Sequence, residues 1–420
     1  MGYGANLFSA STTFSASTFD IGSDLINALD FLGHNVSSTV SDGLRNVFTS
    51  RHNFNTKDIF NGTITAEFKP THEAHTIWGM LGIAIMFLPG VITIPPYMLG
   101  ILRERNILWK IDLSQKDLRS FRPTDSKLDG IAGFIFVLCV MLFYPIAMIL
   151  VAFVSLINAF GGKVSQLNTM STMMIGNEAS SESFPQILLQ CFAIANGYDV
   201  TTVQKITIFA SFLLLARVAI VHDLMGENKA LSFKQTMMHT VKRLPAHVAT
   251  IMFRVSAFTL TLVFLREWAA LPICALYLEL LIITYMRYQN VKDPVICFRA
   301  IWYKSISNLA VLNVYTLVDT EMDEGDKPSE ESCRNFIILS SFTTFVHHVM
   351  VMTSIILLAL YYPEHFQQEG FSRLIVELKP GEAYFFYAFG ITYFLGIFSL
   401  FLCLHLSKNV SEIRSKGSEH

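Results

Sequence analysis

The chain has 420 residues, 52% of them apolar and only 15% charged, with a mean hydropathy of +0.44. Soluble domains carry roughly a quarter charged residues, so this composition argues against a soluble protein and for a chain solvated by lipid. Lys and Arg number 31 against 33 Asp and Glu, a net charge of -2, so the basic excess that neutralises nucleic-acid phosphates is missing and neither DNA nor RNA is expected as a partner.

The first residues lack the basic and continuously apolar regions of a signal peptide, so the mature chain is expected to start at Met1. Residues 7–32 are apolar but hold Asp20, Asp24 and Asp30, and hydropathy alone would miss them as a span. Asp20 and Asp24 are an i, i+4 pair and project from one helix face. Residues 34–77 form a polar stretch with two glycosylation sequons, at Asn35 and Asn61.

Four runs, 78–102, 128–160, 336–362 and 383–406, exceed the roughly 18 residues that mark a spanning helix. Three more, 206–224, 249–265 and 269–288, carry Arg217, Arg254 and Glu279, groups that are costly at hydrocarbon depth unless paired or wetted. Residues 184–197, opened by Pro185, are too short to span and read as a re-entrant helix lining protein or water. Residues 294–318, with Arg299 and Lys304, span poorly or dip in and return.

Orientation follows the basic residues. Seven Lys and Arg lie in 103–127 and four in 229–243, which places both loops in the cytoplasm and residues 34–77 outside, where both sequons would be used. With two re-entrant segments, the chain is an all-α polytopic membrane protein of about eight transmembrane helices, one transmembrane domain over 1–420. Both termini, the acidic loop 320–335 and the tail 407–420 then face the cytosol.

Four patterns, taken in order, resemble the XK-related family of membrane proteins. They are FDIGSDLINALDFLGHN (19–35), WGMLGIAIMFLPGVI (78–92), ESFPQILLQ (182–190) and LPAHVATIMFRVSAFTLTLVFL (244–265). The resemblance implies eight crossing helices with two re-entrant segments, and passive phospholipid scrambling, with phosphatidylserine exposed on dying cells after caspase cleavage. It also implies a single-pass partner or a lipid-transfer protein, and the plasma membrane as the site of action.

A headgroup crossing the apolar layer needs a wetted polar path. The candidates for it are Asp20, Asp24, Glu182, Arg217, Arg254 and Glu279, with Gln186 and Gln190 sharing one face of the re-entrant helix. The plainer alternative is that the acids pair with Arg217 and Arg254 to fix packing, and that the glutamines brace a broken helix. Asp323-Glu324-Gly325-Asp326 has acids where an effector caspase wants them, with cleavage expected after Asp326; such a pattern is otherwise a solvated acidic turn.

Six cysteines stand singly, without metal-ligand or disulfide spacing, and the adjacent His347 and His348 point in different directions, so no metal site is expected and both histidines read as packing residues with satisfied N–H groups. Nucleotide, zinc-protease, hydrolase and EF-hand motifs are missing, so no enzyme activity and no cofactor are expected, and transport should be passive. Two other classes stay open: a non-transporting adaptor that docks a lipid-transfer or single-pass protein, and a ligand-gated channel or chemoreceptor. For the latter, Thr392-Tyr393 resembles an insect taste-receptor ending, although Ser399-Leu400 stands where Gln-Phe is expected.

Overall fold

The computed structural model describes residues 77–92, 143–160, 179–195, 202–226, 233–312, 329–362 and 383–415, together with part of 10–32. Among these residues the chain is almost entirely helical and contains no strand. The helices are α1 (described in part between 10 and 31), α2 (Ile77–Ile92), α3 (Tyr144–Phe160), α4 (Phe184–Ala195), α5 (Thr202–Gly226), α6 (Phe233–Leu265), α7 (Ala270–Tyr288), α8 (Pro294–Ala310), α9 (Glu330–Tyr361) and α10 (Ala383–Ser415).

Among the described residues, three helical runs are long and apolar enough to cross a membrane: Thr240–Tyr288, Glu331–Tyr361 and Phe386–Ser407. The first is two helices, because Arg266 takes a left-handed backbone (φ 51°) and opens a single 3-10 turn, Arg266–Ala269, between α6 and α7. That break agrees with the two segments expected over 249–265 and 269–288. Over their described residues α2 and α3 are apolar but shorter, and the rest of the expected runs, 93–102 and 128–142, lies outside the described residues.

The surface is inverted relative to a soluble protein. Ile146, Leu150 and Phe153 on α3 and Ile391, Phe394 and Phe401 on α10 are exposed, whereas Asp24, Glu182, Arg254, Lys304 and Asn308 are buried. Bare apolar faces of this extent are stable only against lipid. The chain is therefore organised as a helical membrane protein.

α6 is the hub, packing against α4, α5, α9 and α10. One core joins Phe184 of α4, Leu215 of α5, Ile251 and Phe258 of α6 and Leu280 of α7; a second joins Phe253 and Phe264 of α6 to Met352 of α9 and Phe389 of α10. On α10 the buried positions Phe389, Thr392, Gly396, Ser399 and Cys403 recur at alternating steps of three and four, the spacing of close, nearly parallel helix packing. Gly396 is obligatory there, since a Cβ would sit 2.7 Å from the Phe253 ring and 3.0 Å from Phe345. Small residues at such seams let helices approach where no hydrophobic force separates helix from lipid.

α4 is preceded by a π turn, Ala179–Ser183, and is buried nearly all round, as a helix too short to span must be. Pro185, second in α4, comes just after the π turn and, lacking an N–H, donates no helical hydrogen bond back into it. α8 starts where the Asp293 side chain accepts the Val295 amide at 2.9 Å, with Pro294 as the first helical residue. It folds back on α7, and Trp302 Nε1 donates to the Ile92 carbonyl at 2.9 Å, tying α8 to the end of α2.

Two loop boundaries differ from expectation. The basic stretch 229–243 is helical from Phe233, so Lys234, Lys242 and Arg243 extend α6, which at about 1.5 Å per residue becomes longer than the hydrocarbon layer is thick. The acidic stretch 320–335 is helical from Glu330, because the Ser329 hydroxyl accepts the Ser332 amide as an N-cap. α10 likewise continues to Ser415, into the expected tail 407–420. Asn35, Asn61, Asp20, Asp323, Asp326 and the loop 103–127 lie outside the described residues.

Candidate functional site

Among the described residues the candidate polar groups are spread through the bundle. They fall at three junctions of the bundle.

The first is the meeting of α1, α2 and α4. Gln186 Nε2 donates to the Gly82 carbonyl at 2.9 Å, and a Cβ on Gly82 would lie 3.5 Å from Ala28 Cβ, so the three helices touch at one point. Gly79 is held still closer, since a Cβ there would come within 2.6 Å of Leu32. Asp24, buried one turn before Ala28, shares its face of α1, and Gln190 shares the face of Gln186 on α4. Glu182 lies buried in the π turn that leads into α4. Gln186 thus ties the short helix to α2, while Gln190 Oε1 is buried without a partner.

The second junction surrounds Arg254, 1% exposed in the middle of α6. Its guanidinium donates through Nη1 to the Asn308 carbonyl in the last turn of α8. Among the described residues its partner is this carbonyl and no carboxylate; Asp20, one of the acids expected to pair with it, lies outside them. α8 ends against α6 and presents there a carbonyl that its own helix leaves free.

Around Arg254 lies a polar seam between α6, α9 and α10. Thr250 and Ser399 hydroxyls are 2.9 Å apart, and Cys403 Sγ lies 3.4 Å from Thr250. Ser340, Ser341, Thr344 and His348 of α9 complete the seam, all buried. Sequence reasoning passed over Asn308, Ser341, Thr344 and Ser399, because single hydroxyls and amides barely lower the hydropathy of a long apolar run. For Ser341 and Thr344, helical spacing with His348 on α9 was the signal that could have found them.

Arg217, half-buried on α5, is carried by a helix that packs on α4, α6 and the π turn. Arg287 and Lys304 form a further buried basic pair that sequence reasoning did not single out as a site. Both lie over the Phe336 ring, at 4.8 Å and 5.0 Å from its centroid, and Arg287 Nη2 donates to Cys333 Sγ at 3.3 Å.

The third junction is a groove of about 630 Å³ between α7 and α9. Its walls are mostly apolar, among them Leu265, Phe342, Val351 and Leu358. Glu279 of α7 and His347 of α9 meet in it, Oε1 to Nδ1 at 3.2 Å. The rings of the two adjacent histidines stand edge to face, with centroids 5.9 Å apart. Their surroundings differ from expectation: His347 faces Glu279, while His348 packs edge-on against Phe253 and Phe258 and its Nε2 has no partner.

Among the described residues, no three His, Cys, Asp or Glu side chains converge as a metal site would require. No protein-family model matches this chain, and no curated protein matches it.

Proposed function

We propose that this chain is a passive phospholipid scramblase of the XK-related kind, in which α1, α2, α3, α5, α6, α7, α9 and α10 cross the membrane and α4 and α8 are re-entrant. The observation that carries the reading is the groove between α7 and α9. A zwitterionic headgroup carries a phosphate and an ammonium or choline, and must exchange water for protein groups of both kinds as it passes the apolar layer. Glu279 offers an acceptor to the cationic end, and the His347 Nδ1–H that faces Glu279 at 3.2 Å can exchange that partner for the phosphate. The volume of about 630 Å³ suits a headgroup, and the apolar walls suit acyl chains left in the bilayer. In this reading phosphatidylserine is one cargo, the plasma membrane is the site of action, and cleavage after Asp326 by an effector caspase is the switch. A single-pass protein or a lipid-transfer protein is the partner.

The test is fluorescent-lipid scrambling in proteoliposomes, with intact and caspase-treated protein and with the Glu279→Leu and His347→Leu variants. Scrambling that each variant slows by about ten-fold or more supports the groove as the path. Activity only after cleavage supports the switch. Liposomes that stay inert in both samples move the reading to a non-transporting adaptor, and ion current without lipid movement moves it to a channel.

A further inference from the structure

We propose that the seam between α6, α9 and α10 is a binding site for a single halide ion, chloride under physiological conditions, held by Arg254, Ser341 and Thr344. A cavity of about 10 Å³ lies there, lined among others by Thr250, Arg254, Ser341, Thr344, Gly396 and Ser399. That space is at the lower limit for a single small guest, so a monatomic anion seats there only as the surrounding hydroxyls give by a few tenths of an ångström, and phosphate, sulfate or a carboxylate ligand is excluded.

The donors are poised for a guest. Hydroxyls inside helices usually donate to the carbonyl four residues back. Thr250, Thr261, Thr284 and Thr392 do so in this chain, to Ala246, Ala257, Leu280 and Ala388. Ser341 and Thr344 do not: their hydroxyl oxygens are buried with no partner. Arg254 commits Nη1 to the Asn308 carbonyl and leaves Nε buried and unpartnered. Because the Thr250 proton goes to Ala246, the hydrogen bond between Thr250 and Ser399 must be donated by Ser399, so that pair is internally satisfied.

Charge decides between an ion and a water. A water would satisfy the donors but leave a net positive charge at hydrocarbon depth, and no carboxylate pairs with Arg254 among the described residues. A monovalent anion satisfies the same donors and cancels that charge.

The test uses the full chain in detergent at constant ionic strength, with sodium gluconate replaced stepwise by sodium chloride or bromide while thermal unfolding is followed. A saturable rise in Tm with either halide, lost or shifted by about ten-fold in half-saturation in the Ser341→Ala/Thr344→Val double variant, is the expected result. A Tm indifferent to the anion means that water alone fills the cavity and overturns the proposal, as does a halide response that the double variant leaves unchanged. Crystals grown in sodium bromide give a reading that needs no variant: an anomalous peak within hydrogen-bonding reach of Arg254 Nε sustains the site, and its absence from well-ordered density there disposes of it.

Discussion

Arg254 closes the C-terminus of α8 by donating to the main-chain carbonyl of Asn308, three residues before the Val311 cap. The Val311 amide takes the Ser307 carbonyl, so the next carbonyl along is an orphan until the guanidinium reaches it. A cation at the negative end of a helix is stabilising, by up to about 2 kcal/mol when partly buried. Here it also fixes where a short helix stops inside the bundle.

This geometry separates two neighbouring substitutions. Arg254→Ala should lower stability by about 2–3 kcal/mol, because it uncaps α8 and empties a buried position. Asn308→Ala keeps the carbonyl, removes two buried side-chain atoms that have no partner, and introduces the best helix former, so it should be neutral or stabilising by about 1 kcal/mol. Thermal unfolding in detergent checks both; equal losses would show that the Asn308 side chain, not its carbonyl, is what matters.

Two glycines of α10 should respond in opposite senses. Gly390 has nothing within 4 Å of a would-be Cβ, so Gly390→Ala should gain about 0.5–1 kcal/mol from helix propensity alone. Gly396→Ala drives a methyl against Phe253 and Phe345 and should cost about 1–3 kcal/mol despite the same gain. A Gly396→Ala protein as stable as the wild type would mean that α6 and α9 yield easily at this seam.

Arg266 holds a left-handed backbone, which L residues adopt at a cost of roughly 1–2 kcal/mol and β-branched residues hardly at all. Arg266→Gly should therefore be better tolerated than Arg266→Val by about 1–2 kcal/mol. Comparing the two variants by thermal unfolding tests whether the break between α6 and α7 is set there.

Phe336 serves two cations at once. Phe336→Leu retains an apolar side chain but loses the ring face under Arg287 and Lys304, and should cost about 1–2 kcal/mol beyond the volume change. A double-mutant cycle with Lys304→Met measures that coupling, and a coupling near zero would remove the ring from the account.

The apolar runs over 249–265, 269–288, 336–362 and 383–406 were readable as helices from composition and spacing. A stretch of some 20 apolar residues has one stable state in lipid, a helix, whatever its neighbours. The short, Pro-opened run at 184–197 was readable for the same reason, since it cannot reach across the layer. The extensions were not. Residues 233–243 are polar enough to pass for a loop, and only their continuity with α6 makes them helical.

By itself the sequence determined that this is a helical membrane protein with ionisable groups inside its spans, because hydropathy and helix period are local properties of the chain. Which groups meet was decided by tertiary structure alone. Glu279 and His347 are 68 residues apart in sequence and Arg254 and Asn308 are 54 apart, and nothing in either segment encodes the partner. Packing settles it: Gly79, Gly82 and Gly396 set how closely the helices approach, and that approach selects which polar atoms find a partner and which are left facing a cavity.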